Sequence, residues 1–144
     1  MAVKPIPEGQ HSVTPYLVVD GAAKLIDFLK QAFAGKEEHR SVRPDGSVMH
    51  AQVRIGDSVV MLSDATAQFR PTTAMVHLYL EDADAAYKRA IQAGATSLME
   101  PANQFYGDRS GGVLDPFGIK WWVATHIEDV TPEEMAKREE ALVK

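Results

Sequence analysis

The chain has 144 residues, 45% apolar and 24% charged, enough for one ordinary domain and too apolar for a disordered or fibrous protein. A net charge of -5 and the absence of any Lys/Arg cluster exclude the basic face that nucleic-acid binding needs. Cysteine is absent, which removes disulfides, thiolate metal sites and cysteine nucleophiles and fits a cytoplasmic setting; neither a signal-type stretch nor a membrane-crossing run of about 20 apolar residues is present, so no membrane partner is expected.

Residues 1–12 are polar and interrupted by Pro5, Pro7 and Gly9, so they read as an arm outside the core. Residues 13–19 are apolar and β-branched and predict the first strand. Asp20-Gly21 closes it and opens a helix. Leu25, Ile26, Leu29, Ala32 and Phe33 form one apolar stripe of that helix, which stops near Gly35. Three strands follow, over 39–43, 48–55 and 59–63, with Pro44-Asp45-Gly46 and Gly56-Asp57 as turns. In the middle one, Met49, Ala51, Val53 and Ile55 alternate with His50, Gln52 and Arg54, so one side suits a helix while the other lines a cleft or faces solvent.

The order then repeats. Residues 76–80 predict a strand and 82–93 a helix, carried by Ala83, Ala86, Tyr87, Ala90 and Ile91 and stopped by Gly94. The stretch from Leu17 to Ala23 aligns with that from Leu78 to Asp84 at an offset of 61 residues. Strands are predicted near 96–100, 112–114 and 120–125. The glycine-rich run from Gly107 to Gly112 reads as a loop, and Asp115-Pro116-Phe117-Gly118 is the last turn. Thr131-Pro132-Glu133-Glu134, with a capping threonine and proline at the first helical position, starts a terminal helix over 131–143. Two β-α-β-β-β modules, about 12–66 and about 74–126, thus predict a single α+β domain of curved mixed sheets around a cleft, each helix covering one sheet face.

Over roughly residues 12–126 the chain resembles the vicinal-oxygen-chelate superfamily of glyoxalase I, extradiol dioxygenases and bleomycin-resistance proteins. The resemblance rests on the duplicated order, on Asp115-Pro116-x-Gly118, and on the Trp121-Trp122 pair with Thr125-His126 after it. These last features, with Pro15-Tyr16-Leu17, are similar to the PhnB-like branch.

The resemblance implies a divalent metal held by His and Glu from the first and last strands of each half, acting as a Lewis acid on paired substrate oxygens. Carried over position by position, the four ligand places fall to Thr14, Met61, Met75 and Trp122. None is a carboxylate or imidazole, and thioether and indole groups do not hold hard or borderline divalent ions, so the expected cofactor is none. The alternative is a divalent metal on relocated donors, with His50, Gln52, His77 and Glu81 the nearest and His126-x-Glu128 a further pair; a strand histidine equally serves as a hydrogen-bonded structural residue.

The remaining cleft residues are Tyr16 and Tyr79, with Arg109 able either to clamp an anion or to pair with Asp108 or Asp115. Apolar and aromatic walls with a few polar groups suit a small-molecule pocket, although Met61 and Met75 equally serve as filling, and one of Trp121 and Trp122 belongs to the core. The expected function is metal-free binding, with possible sequestration, of a small aromatic or apolar molecule. A metal-dependent lyase, isomerase or dioxygenase with relocated ligands and a ligand-free scaffold are the alternatives. A homodimer is expected, from the resemblance and from Met135, Ala136, Leu142 and Val143 on the terminal helix.

Overall fold

The computed structural model describes residues 3–143. The chain divides into two compact units, the first ending at Ala74 and the second beginning at Met75. Among the described residues no helix is long and apolar enough to cross a membrane.

In the first unit, β1 (Tyr16–Val19), α1 (Ala22–Phe33), β2 (Lys36–Val42), β3 (Val48–Ile55) and β4 (Ser58–Asp64) build a sheet of order β1-β4-β3-β2. β2, β3 and β4 pair antiparallel, and β1 lies parallel to β4, a pairing that requires the long connection through α1 and the hairpins. The helix buries Leu25, Ile26, Phe28, Leu29 and Phe33 against the sheet face that carries Ala51, Val53 and Leu62. Each fully buried Leu, Ile or Phe contributes about 1.5–3 kcal/mol, so this stripe supplies much of the unit's stability. The helix stops where Ala34 takes a left-handed φ of 56°. Gly35 follows because a Cβ there would lie 2.8 Å from Val53 Cγ1.

No side chain of its own caps α1. Asp64, at the end of β4, accepts from the Gly21 and Ala22 amides at 3.0 and 2.8 Å through Oδ1, and from the Val48 amide at 2.7 Å through Oδ2. Burial pushes the Asp64 carboxyl up, and the bonds from Ala22, Val48 and Gly21 more than reverse this, leaving it below the ordinary carboxylate range.

The second unit repeats the arrangement. β5 (Ala74–Tyr79), α2 (Ala83–Gln92), β6 (Thr96–Asn103), β7 (Asp108–Leu114) and β8 (Ile119–His126) give the order β5-β8-β7-β6, followed by α3 (Pro132–Leu142). Asp82 caps α2, accepting from the Ala85 amide at 3.0 Å. The Thr125 hydroxyl accepts from the Ala83 amide at 2.9 Å and donates to the Leu80 carbonyl at 2.8 Å. Thr125 and Ala83 stand 61 residues after Asp64 and Ala22, so the duplication extends to a helix-holding contact, with threonine in place of aspartate. Trp121 is fully buried, and its indole N–H donates at 2.7 Å to Asp115, which also accepts from the Phe117 and Ile119 amides. The indole thereby ties the Asp115-Pro116-Phe117-Gly118 turn to the core.

Three expectations are corrected. β1 begins at Tyr16 rather than at 13, and Val13 is 84% exposed. In β3 the pairing slips, Ser41 facing His50 but Val42 facing Val48, and this bulge inverts the alternation. Val48 is therefore buried and Met49, expected on the helix side, is 50% exposed. The run from Asp108 to Gly112 is strand, not loop. Its glycines answer crowding rather than a turn: a Cβ on Gly111 would lie 3.0 Å from the Met99 carbonyl oxygen, and one on Gly112 would clash with the Trp122 ring.

Candidate functional site

In the first unit, register places Tyr16 beside Met61, Met61 beside Gln52 and Gln52 beside His39, one row across four strands on the face turned away from α1. The row is hydrogen-bonded. Tyr16 Oη lies 3.1 Å from His50 Nδ1, with the two rings stacked at 5.6 Å, and Gln52 Nε2 lies 3.3 Å from His50 Nε2. His50 thus stands between the Tyr16 hydroxyl and the Gln52 amide, one at each ring nitrogen. His39 stands 6.0 Å from His50 between ring centres and bonds Ser41 at 2.8 Å.

Beside this row is a cavity of about 430 Å³ lined by Pro7, Gln10, His11, Thr14, Gln52 and Met61. Half of that lining belongs to the N-terminal arm. Arg54 Nη2 donates to the Gly9 carbonyl at 3.1 Å, and the Gln10 amide donates to the Pro7 carbonyl at 3.0 Å.

In the second unit, Met75, His77 and Tyr79 alternate outward along β5, with Met75 and Tyr79 more than 60% exposed. The His77 and Tyr79 rings stack at 4.9 Å. The Tyr79 hydroxyl donates at 2.8 Å to Asp108, a carboxylate only 2% exposed, whose other oxygen lies 2.9 Å from His126 Nδ1. His126 Nε2 meets Asp129 at 2.7 Å. The bond to Asp108, then the one to Asp129, raises the His126 pKa above its ordinary value, and the bond to Asp108 raises that of Tyr79. The chain of four groups is internally satisfied, with the phenol proton committed to Asp108, so it orients Tyr79 rather than activating it. Trp122 lies on the same sheet face, over its register partner Gly112.

Of the expected site residues, Thr14, Gln52 and Met61 meet at the first-unit cavity, with Tyr16 and His50 bonded beside them. Met75, His77, Tyr79 and Trp122 belong to the second unit. Arg109 is turned toward α2, where Nε and Nη2 grip Asp84 at 2.6 and 2.9 Å and Nη1 reaches Asn103 at 3.1 Å. The pairing partner is neither Asp108 nor Asp115, because Arg109 occupies the strand position that faces the helix, beside Thr125. Sequence reading missed the role of Asp108, which it placed in a loop as a possible partner of Arg109, and the arm residues Pro7, Gln10 and His11. Neither had a local signal: Asp-Arg-Ser-Gly-Gly over 108–112 shows no apolar alternation, and no local pattern marked the arm.

The divalent metal that the resemblance implies does not fit the residues present. The four carried-over places hold a hydroxyl, two thioethers and an indole. Among the described residues, no group of three or more His, Asp or Glu side chains is arranged to hold a metal ion. His126-x-Glu128 is no chelate either: both imidazole nitrogens have carboxylate partners, and both Glu128 oxygens take Arg138 at 2.8 and 2.9 Å.

This fold and duplication define a two-module protein of the glyoxalase type. Residues 9–123 match the family model described as the Glyoxalase/Bleomycin resistance protein/Dioxygenase superfamily, and the chain belongs to that superfamily. It is 38% identical over 135 residues to an uncharacterized protein of Mycobacterium bovis, covering 86% of this chain and 89% of the relative. Among solved structures it is similar to TioX from Micromonospora sp. ML1, with a TM-score of 0.64, 21% identity, and coverage of 81% of this chain and 100% of that one. The PhnB protein from Bacillus cereus shares the fold, with a TM-score of 0.59 and 16% identity over 80% of this chain and 99% of that one.

Proposed function

We propose that the chain is a metal-free binding protein of its superfamily, holding a small aromatic or apolar molecule and acting by sequestration. The observation that carries this reading is the replacement of all four carried-over ligand places by Thr14, Met61, Met75 and Trp122, which lack the donors a divalent ion needs. Those side chains, with Tyr16 and Tyr79, instead offer polarisable and aromatic surface, and the cavity beside Thr14 and Met61 has a volume suited to a small ligand. A homodimer accompanies the proposal: Leu142 at the end of α3 and Val143 just after it are well exposed, and no residue of α3 is buried within the chain. A cytoplasmic location also belongs to it.

Metal analysis of protein purified without a histidine tag tests the central claim. Nickel, zinc, iron and manganese are expected well below stoichiometry; a stoichiometric metal that disappears in His50→Ala or His77→Ala overturns the reading in favour of a relocated-ligand enzyme. Sedimentation velocity at micromolar concentration is expected to show a dimer.

A further inference from the structure

We infer that the N-terminal arm is a strap that completes a binding cavity on the first unit, and that this cavity selects small uncharged planar molecules carrying a hydrogen-bond donor. The inference rests on the small-molecule reading above and adds the wall and the ligand class.

Three of the six lining residues, Pro7, Gln10 and His11, come from the arm, and the other three, Thr14, Gln52 and Met61, come from the sheet side. One guanidinium seats the strap. Arg54 donates to the Gly9 carbonyl at 3.1 Å while Glu38 and the Asp57 carbonyl hold it at 3.1 and 3.2 Å, so the arm is tied to a group already fixed on the sheet. Gly9 adopts a φ of +81°, and a Cβ there would lie 3.2 Å from Arg54 Nη2. The tie therefore favours glycine for both conformation and space. The bond from the Gln10 amide to the Pro7 carbonyl closes the turn that sets Gln10 and His11 along the cavity.

The lining contains two amides, a hydroxyl, an imidazole, a thioether and a proline ring, and no Asp, Glu, Lys or Arg. A charged ligand entering such a space sheds water without meeting a fixed counter-charge, whereas a neutral ring loses far less. Gln52 adds direction: with its amide nitrogen committed to His50, its carbonyl oxygen is left as an acceptor. A ligand with an amide or lactam N–H answers it, and Met61 and Pro7 offer surface for an aromatic body.

The test compares 2-naphthamide with 2-naphthoate, two probes of one shape that differ in charge, on the 15N-labelled 144-residue chain and on Gly9→Val and Arg54→Met variants of matched melting temperature. 2-Naphthamide is expected to move the amide signals of Gln10, His11, Thr14 and Gln52 and to bind about tenfold more tightly than 2-naphthoate, the penalty of an uncompensated charge. Both variants are expected to weaken 2-naphthamide by about fivefold, through loss of a preorganised wall. Unchanged affinity in both variants, or 2-naphthoate binding as tightly, overturns the inference. Responses at Met75, Tyr79 or Trp122 alone overturn it but leave the small-molecule reading standing; silence toward both probes overturns the two together.

Discussion

The indole of Trp122 rests on Gly112, its register partner across β7 and β8, so closely that a Cβ on Gly112 would clash with the edge of the six-membered ring. The glycine is thus a seat for an aromatic side chain on the open face of the second sheet. Gly112→Ala is expected to displace the indole and to lower stability by about 1–3 kcal/mol, the usual cost of overpacking, read as a lower urea midpoint with a changed tryptophan emission. A midpoint equal to that of the parent chain would falsify the seat.

Asp64 joins α1, β3 and β4 through three backbone amides. Its folded pKa is depressed relative to the ordinary value of 3.8, so its contribution is fully present above that value and is lost as pH falls through the folded one. Asp64→Asn keeps one acceptor oxygen but turns a donor toward the Val48 amide. It is expected to cost about 1–3 kcal/mol at neutral pH and to flatten the acid limb of a stability-against-pH curve.

His126 sits between Asp108 and Asp129, and both bonds raise its folded pKa above the ordinary 6.5. The tie is complete below 6.5 and is lost as pH rises through the folded value. Beside it, the Ile127 and Glu128 amides both donate to the Gly107 carbonyl, and Arg138 grips Glu128, so the segment leading to α3 is anchored at this point. An NMR titration is expected to place the imidazole midpoint above 6.5 and Asp108→Asn to lower it. Amide exchange over residues 127–131 should quicken as pH passes the midpoint, beyond the intrinsic rise. A midpoint unmoved by Asp108→Asn removes the assignment.

Arg109 holds Asp84 from the helix-facing side of β7, and that bond lowers the Asp84 pKa. Arg109→Met is expected to return Asp84 to the ordinary carboxylate range in an NMR titration while leaving 2-naphthamide affinity unchanged, because both members of the pair belong to the second unit and neither lines the first-unit cavity. Loss of probe binding in this variant would restore Arg109 as a ligand clamp.

The order of elements, the two-fold repeat and the apolar stripe of α1 were legible in the chain, since each depends on spacings of a few residues that helix and strand geometry enforce locally. The four carried-over places came from the resemblance rather than from spacing; what the chain itself supplies there is a hydroxyl, two thioethers and an indole. Tertiary structure decided the rest. The β2/β3 bulge moved Met49 out and Val48 in, a one-residue change that exchanges faces. Asp108 became the hub between Tyr79 and His126, partners 29 and 18 residues away, and Gly9 was drawn onto Arg54 across 45 residues. Sheet register brings such groups together, and register depends on how whole strands bury their faces rather than on the residues that flank any one of them.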